Sequence, residues 1–411
     1  MPGVFIPRCG ADRRAFQGVT EMPHDFGSRG WTRREALGLL GMGAAAAVLP
    51  EIARAATPTF PKGAVIRTIL KDYAPEELAG GATLFHEHMS FAQDFMPRWN
   101  QYAAETRAAA GSGGGGRAGG AAGGQAGGGA RAGAPPATPA AAGPFFMSDV
   151  DLMAEEMAIA KREGIGCIVD GGHPDMGRDF NFLRQISTKS GMPIVAGGGF
   201  YTQPFYPKEI ATMSEEQIAQ ALIKQTETDP IGVFGEIGSW DDISKDERKV
   251  FRAVGKAHVA TNLPIFTHTG IPGKSALEQL DLLEDAGVNP NRIVIGHLGN
   301  LNDPQVQVHK AICRRGAFIG FDRQGGPGDA QQVPLVMALI DAGFADNLMF
   351  SADISNAGQM KRNNGQGYAK TLTVFVPKLK AAGASDDVLR SIMQDNPRRF
   401  LAFVPKKARR G

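Results

Sequence analysis

The stretch Ala82-Thr-Leu-Phe-His-Glu-His88 decides how the rest of the chain is read. It is an apolar run that ends in His86-Glu87-His88. Successive side chains of a β-strand point to opposite faces, so His86 and His88 share one face and Glu87 takes the other. Two imidazoles on one face at the end of a strand can close on a single metal ion. Downstream, Glu236, His268, His297 and Asp353 each end another short apolar run. That is the arrangement expected of a metal site at the mouth of a parallel barrel, where functional groups gather at the C-terminal ends of the strands.

Outward from this stretch, apolar runs alternate with amphipathic segments. The predicted strands are Ala82–His88, Ile165–Asp170, Pro193–Phe200, Val233–Ile237, Pro264–Thr269, Ile293–Leu298, Ala317–Asp322 and Leu348–Asp353. Predicted helices lie over Ser148–Arg162, Asn181–Lys189, Ser214–Glu227, Ser244–Thr261, Ser275–Ala286, Val333–Ala342, Ala369–Ala382 and Ser385–Asp395. Ser214-Glu-Glu-Gln217 resembles a capping box. Strands alternating with helices imply parallel pairing, and eight units imply a (β/α)8 TIM barrel. An open doubly wound sheet is the alternative, but it usually ends after five or six units.

At 411 residues the chain is long enough for one such barrel with appendages. Its hydrophobic content of 43% and charged content of 21% are those of an ordinary soluble protein. The formal charge of +2 comes from the first 55 residues, and the remainder balances at zero. Nothing in that balance points to nucleic acid or a membrane surface. Cys167 and Cys313 lie in apolar segments and read as buried free thiols, and no Cys-x-x-Cys motif exists.

Trp31-Thr-Arg33-Arg34 precedes a small-residue apolar run ending at Pro50, and Ala53-Arg54-Ala55 offers a cleavage site. Residues 1–55 therefore read as a leader with a twin-arginine export signal, which implies passage through the twin-arginine translocase to the periplasm or beyond. The lead before Trp31 is long, and Met22 is a candidate start. The apolar core is too short and glycine-rich to anchor in a bilayer. Residues 103–143 are almost wholly Gly, Ala, Arg and Pro and read as a low-complexity insertion, a flexible surface loop after the first strand. Residues 56–411 are the expected barrel.

In a closed barrel the first and eighth strands adjoin, so His86, His88 and Asp353 can share one ion. The fifth and sixth adjoin, so His268 and His297 can share a second. Glu236, with two oxygens, can bridge them. Imidazole and carboxylate without thiolate suit zinc, with manganese, cobalt, nickel or iron as alternatives. Only eight histidines exist, and four fall at these strand ends. Two such ions generate hydroxide at neutral pH and polarise the bond under attack, with Asp353 as ligand and general base. Hydrolysis at a carbonyl or phosphoryl centre of a small-molecule substrate is the expected reaction.

The motifs resemble the phosphotriesterase-like family of the amidohydrolase superfamily. They are Thr83-Leu-Phe-His-Glu-His-Met89, Gly177-Arg178-Asp179, Thr267-His268-Thr269, Ile295-Gly-His297, Gly320-Phe-Asp322-Arg323, Ser351-Ala-Asp353 and the terminal Asp395-Asn-Pro397-Arg-Arg-Phe400. The resemblance covers residues 80 to 402 apart from the insertion. It implies a binuclear metal hydrolase with His86, His88, Glu236, His268, His297 and Asp353 as ligands, and relatives of this type are commonly homodimers. Many members carry a carboxylated lysine on the fourth strand; here Glu236 stands there, as in the family's other branch. Gln324 replaces the tyrosine of the lactonase-like Asp-Arg-Tyr-Gly, and Gly171-Gly172-His173 also departs from the pattern. These changes leave the bridging chemistry intact and leave the choice among ester, lactone and phosphotriester substrates open.

Pocket candidates follow the strand ends. Arg323 is placed to bind an anionic substrate group, to orient a ligand through Asp322, or to form an ion pair at the mouth. Tyr201, Trp240 and His173 are candidate pocket residues, and Trp99 with Phe95 a candidate hydrophobic wall. Arg178 and Asp179 read as structural ties. An amide or carbamate hydrolase on the same metal pair is one alternative. The other is a non-catalytic periplasmic metal- or ligand-binding protein of the same fold.

Overall fold

The computed structural model describes residues 58–111, 145–270 and 273–406. The export signal and residues 112–143 of the insertion lie outside them. Eight strands form one parallel sheet in sequence order: β1 (Ala82–Glu87), β2 (Ile165–Asp170), β3 (Ile194–Gly198), β4 (Ile231–Ser239), β5 (Ile265–Thr269), β6 (Ile293–Ile295), β7 (Phe318–Phe321) and β8 (Leu348–Phe350). With helices between successive strands, this is a TIM barrel. All nine residues of β4 are buried, as expected where both faces of a parallel strand are covered.

The intervening helices are α1 (Phe95–Gly111), α2 (Val150–Arg162), α3 (Phe180–Ser190), α4 (Glu215–Thr228), α5 (Lys245–Thr261), α6 (Ala276–Asp285), α7 (Gln307–Arg314) and α8 (Asp329–Asp341), and α9 (Val376–Ala381), α10 (Asp386–Arg390) and α11 (Asn396–Leu401) follow β8. The capping box at Ser214 is present, and Ser244 with Glu247 forms a second one. Two helices go beyond the sequence expectation. α1 continues to Gly111, into the stretch read as insertion from residue 103, and α7 separates β6 from β7. α8 starts at Asp329 rather than Val333 and carries Pro334 inside it.

Phe85, Val169, Val195, Val233, Phe266, Val294 and Met349 form one buried cluster, and the alternate residues Leu84, Ile168, Ile194 and Ile265 belong to a second with the helices. The alternation slips in β1, where the register with β2 shifts between Leu84 and Glu87. Phe85 and His86 both rest against Phe266. A short antiparallel ribbon, Ile66–Arg67 with Asp72–Tyr73, precedes the barrel. Its turn joins the start of β3 by Ile69 N–H donating to Ile194 O at 2.7 Å. The terminal Asn-Pro motif acts structurally, since Asn396 Nδ2 donates to the carbonyls of Ala345 and Leu348.

The barrel is nearly closed. β8 and β1 form no ladder. Instead Ser351 Oγ accepts from His86 N–H at 3.1 Å and lies 2.7 Å from His86 O, while Asp353 N–H donates to the same carbonyl at 3.3 Å. Both ends of this seam carry site residues.

Candidate metal centre

The six residues at the strand ends converge. His86 Nε2 lies 3.2 Å from Glu236 Oε2 and 3.9 Å from Asp353 Oδ1. His88 Nε2 lies 3.1 Å from Glu236 Oε1 and 3.3 Å from Asp353 Oδ1. On the other side, Glu236 Oε2 is 2.8 Å from His268 Nδ1 and 3.6 Å from His297 Nε2. Two groups of possible ligands result, His86 with His88 and Asp353, and Glu236 with His268 and His297. Glu236 Oε1 faces His88, and its Oε2 faces the other three imidazoles. All these side chains are buried except Asp353, which keeps a 13% opening to solvent.

The donor set fits a divalent cation. Metal–nitrogen and metal–oxygen bonds of 2.0–2.2 Å place adjacent donor atoms roughly 3 Å apart, the spacing seen among these atoms. His86 Nε2 is buried without a hydrogen-bond partner, as a nitrogen reserved for an ion would be. Gly171 makes room for the pair, since a Cβ there would sit 3.3 Å from both the His86 and the His88 ring.

Asp322, just past β7, completes the arrangement from outside. A carboxylate can only accept, so the ring nitrogens it meets must donate. His86 Nδ1–H donates to its Oδ2 at 2.9 Å and His297 Nδ1–H to its Oδ1 at 2.8 Å. One carboxylate thus fixes both tautomers and leaves both Nε2 lone pairs facing inward. Although Asp322, His86 and His297 also meet the spacing for an ion, these short Nδ1 hydrogen bonds account for that trio. His297 holds a left-handed backbone (φ 62), and its own N–H donates to Asp322 as well.

The charges are strongly coupled. Burial opposes ionisation of Glu236, but His86 and His268 outweigh it and hold the carboxyl well below the usual range. For Asp353 burial is outweighed by the hydrogen bond to His88 and the charges of His86, His297 and Arg323. Burial alone would depress His88, yet Asp353 and Glu236 carry it up to about 10. On the far face of β1, burial pushes the Glu87 carboxyl up to about 7 against the donors that bind it.

The pocket candidates fall into two groups. Arg323 Nε lies 3.1 Å from Asp353 Oδ2, making an ion pair at the mouth. Tyr201 Oη is 3.2 Å from His268 Nδ1 and accepts from Trp99 Nε1 at 2.9 Å, so α1 reaches the site through a hydrogen bond. Trp240 is tilted against Trp99 and Tyr102. His173 is buried beside Asp175 at 3.5 Å and belongs to none of the metal-ligating groups. Arg178 ties the second loop by donating to the carbonyls of Gly172 and Gly197, and Asp179 caps α3. The sequence offers Asp322 as a ligand-orienting residue only by way of Arg323, whereas the structure shows it bonded directly to His86 and His297.

Residues 68–401 match the sequence profile of the phosphotriesterase family. The chain belongs to the phosphotriesterase family. The phosphotriesterase homology protein of Escherichia coli is 31% identical over 273 residues, 62% of this chain and 92% of that protein. The N-acetyltaurine hydrolase of Xenopus tropicalis is 24% identical over 274 residues, covering 62% of this chain and 78% of its own length. The crystal structure of the Escherichia coli protein, complexed with phosphate in its active site, superposes with a TM-score of 0.64 at 26% identity. It covers 80% of this chain and 100% of that one. The family is one of metal-dependent hydrolases, and the clustered imidazoles and carboxylates of this phosphotriesterase-family barrel occupy the end where such chemistry takes place.

Proposed function

We propose that this chain is a binuclear metal-dependent hydrolase that cleaves ester bonds in a small molecule, in the carboxylic ester, lactone or phosphotriester class. The observation that carries the reading is Glu236, whose carboxylate reaches both ligand groups at ligand spacing, with Oε1 at 3.1 Å from His88 and Oε2 at 2.8 Å from His268. Two divalent ions, zinc first among them, would supply Lewis acidity and lower the pKa of water there. His86, His88 and Asp353 would hold one, His268 and His297 the other, with Glu236 between. Asp353 is the ligand most open to solvent and the one placed to take a proton from the attacking water, and Arg323 orients its second oxygen. The phosphate in the Escherichia coli relative's active site is a tetrahedral oxyanion, the shape reached when a nucleophile adds to a carbonyl carbon, and it is also the product group of phosphoester cleavage. A second reading, amide hydrolysis on the same centre, is favoured by the relatives named N-acetyltaurine hydrolase.

The test is a panel of chromogenic esters, lactones, phosphotriesters and N-acyl amides, with metal content measured on the same sample. Two ions per chain and turnover of an ester substrate are expected. Asp353→Asn should lower kcat at least ~10²-fold, the lower end of what a positioned proton acceptor contributes. Preference for the N-acyl amides would select the second reading, and activity untouched by both chelation and Asp353→Asn would overturn both.

We also propose export by the twin-arginine route, on the strength of Arg33-Arg34 and the apolar run behind them. Arg33→Lys with Arg34→Lys should leave the chain unprocessed in the cytoplasm. Normal periplasmic recovery of that variant would refute the route.

A further inference from the structure

The ligands His86 and His88 stand at the end of β1 and Asp353 three residues past β8, at the one junction of the barrel with no ladder. The other ligand group stands on or just past β4, β5 and β6, which are joined by ladders even though the β4–β5 register shifts between Phe234 and Ile237, around Glu236. Something else must therefore set the distance across the first group.

We propose that Glu87, acting with Ser351, is a positioning residue that holds Asp353 against His86 and His88 across this seam. The proposal rests on the reading of those three residues as one half of the metal centre. Glu87 is fully buried and points away from the two imidazoles it separates. Its Oε1 accepts from Ser351 Oγ at 2.7 Å and from Ala352 N–H at 2.7 Å, and its Oε2 accepts from Ile354 N–H at 2.9 Å. The two amides flank Asp353, whose backbone is left-handed (φ 50). A non-glycine residue keeps that conformation only where its surroundings over-determine it. Here a single carboxylate grips the chain on both sides of the strained residue.

Ser351 adds the second half of the seam. Its oxygen accepts from His86 N–H at 3.1 Å, while its one hydroxyl proton faces both His86 O and Glu87 Oε1, each at 2.7 Å. A hydroxyl in that position replaces the missing ladder pair, and it joins the strand that carries the histidines to the one that leads to Asp353. Glu87 touches neither ion position and has no part in the hydrolytic step. Its effect runs through Ser351 and the two amides that flank Asp353.

The experiment uses Glu87→Gln and Ser351→Ala in the full chain, with Leu283→Ala in the α6 core as a control for general loss of stability. Metal content is followed by graded chelation with zinc as the probe, and amide exchange is read across residues 351–355 in metal-free protein. The Gln variant keeps the side-chain shape but presents an N–H₂ to one of the two amide donors. Affinity for one zinc ion is expected to fall roughly 10–100-fold, the range for loss of a partner that orients a ligand. The second ion should be retained, and exchange at Ala352 and Ile354 should accelerate. Parallel loss of both ions, as in the control, or unchanged exchange at these amides would overturn the proposal. If the parent chain binds fewer than two ions, the binuclear reading fails, and the exchange at 352 and 354 still decides the role of Glu87.

Discussion

Asp322 has two oxygens and satisfies imidazoles from two different strands with them. Its partner His86 lies 236 positions away in the chain, so the clamp cannot be read from local spacing. The six candidate ligands were legible because each ends an apolar run, a pattern visible strand by strand. Asp322 also ends such a run, but its role depends on which atoms it meets once the barrel closes. Trp240 and His173 follow strands too, and the same rule placed them near the site without telling lining from packing. The clamp leads to an expectation. Asp322→Asn keeps the shape but presents an N–H₂ group to one of the two Nδ1 atoms. That ring must then accept there and carry its proton on Nε2, where an ion needs a lone pair. Metal affinity should drop roughly 10–100-fold with the fold intact, measured by competition with a coloured chelator beside a circular dichroism melt.

Elements were legible where periodicity was uninterrupted and hidden where composition misled. α1 was missed because its second half, Ala-Ala-Ala-Gly, merges with the Gly/Ala tract and its first half carries loop-like aromatics. α8 was started late because a proline reads as a helix beginning, whereas Pro334 sits inside the helix. α5 was placed correctly, and its last turn holds a group with a predictable pH response. His258 there donates Nδ1–H to Leu263 O at 2.6 Å. A helix C-terminus favours a charged imidazole, but burial wins and lowers its pKa, helped by Arg292 and Lys406 against the pull of the Leu263 carbonyl. The folded state therefore resists a proton that the unfolded chain accepts near the ordinary value of about 6.5. Stability from this group is present above that pH and is lost as pH falls through it towards the folded pKa. His258→Gln should flatten the decline in denaturation midpoint between pH 7 and pH 5. An unchanged slope would mean that the imidazole is not kept neutral by the fold.

At the scale of the molecule, the barrel brings four imidazoles and the carboxylates of Glu236, Asp322 and Asp353 into one buried cluster. Groups of one sign taken from water need a partner of the other. Protons on His86 and His88 and the guanidinium of Arg323 supply part of it in the metal-free chain, and divalent cations would supply it more fully. A ligand bound only by the native state stabilises it by mass action, about 4 kcal/mol per site at a thousandfold excess over its dissociation constant. These ligands are drawn from β1, β4, β5, β6 and the end of β8, so no fragment of the chain assembles the cluster and the whole gain appears as global stability. Removing metal by chelation should therefore lower the melting temperature of the barrel by several degrees in a single transition, reversed by adding zinc back. A transition that splits in two would show that the staves at the seam unfold apart from the rest. A melting temperature indifferent to chelation and to added metal would mean that the cluster is held by its own hydrogen bonds alone.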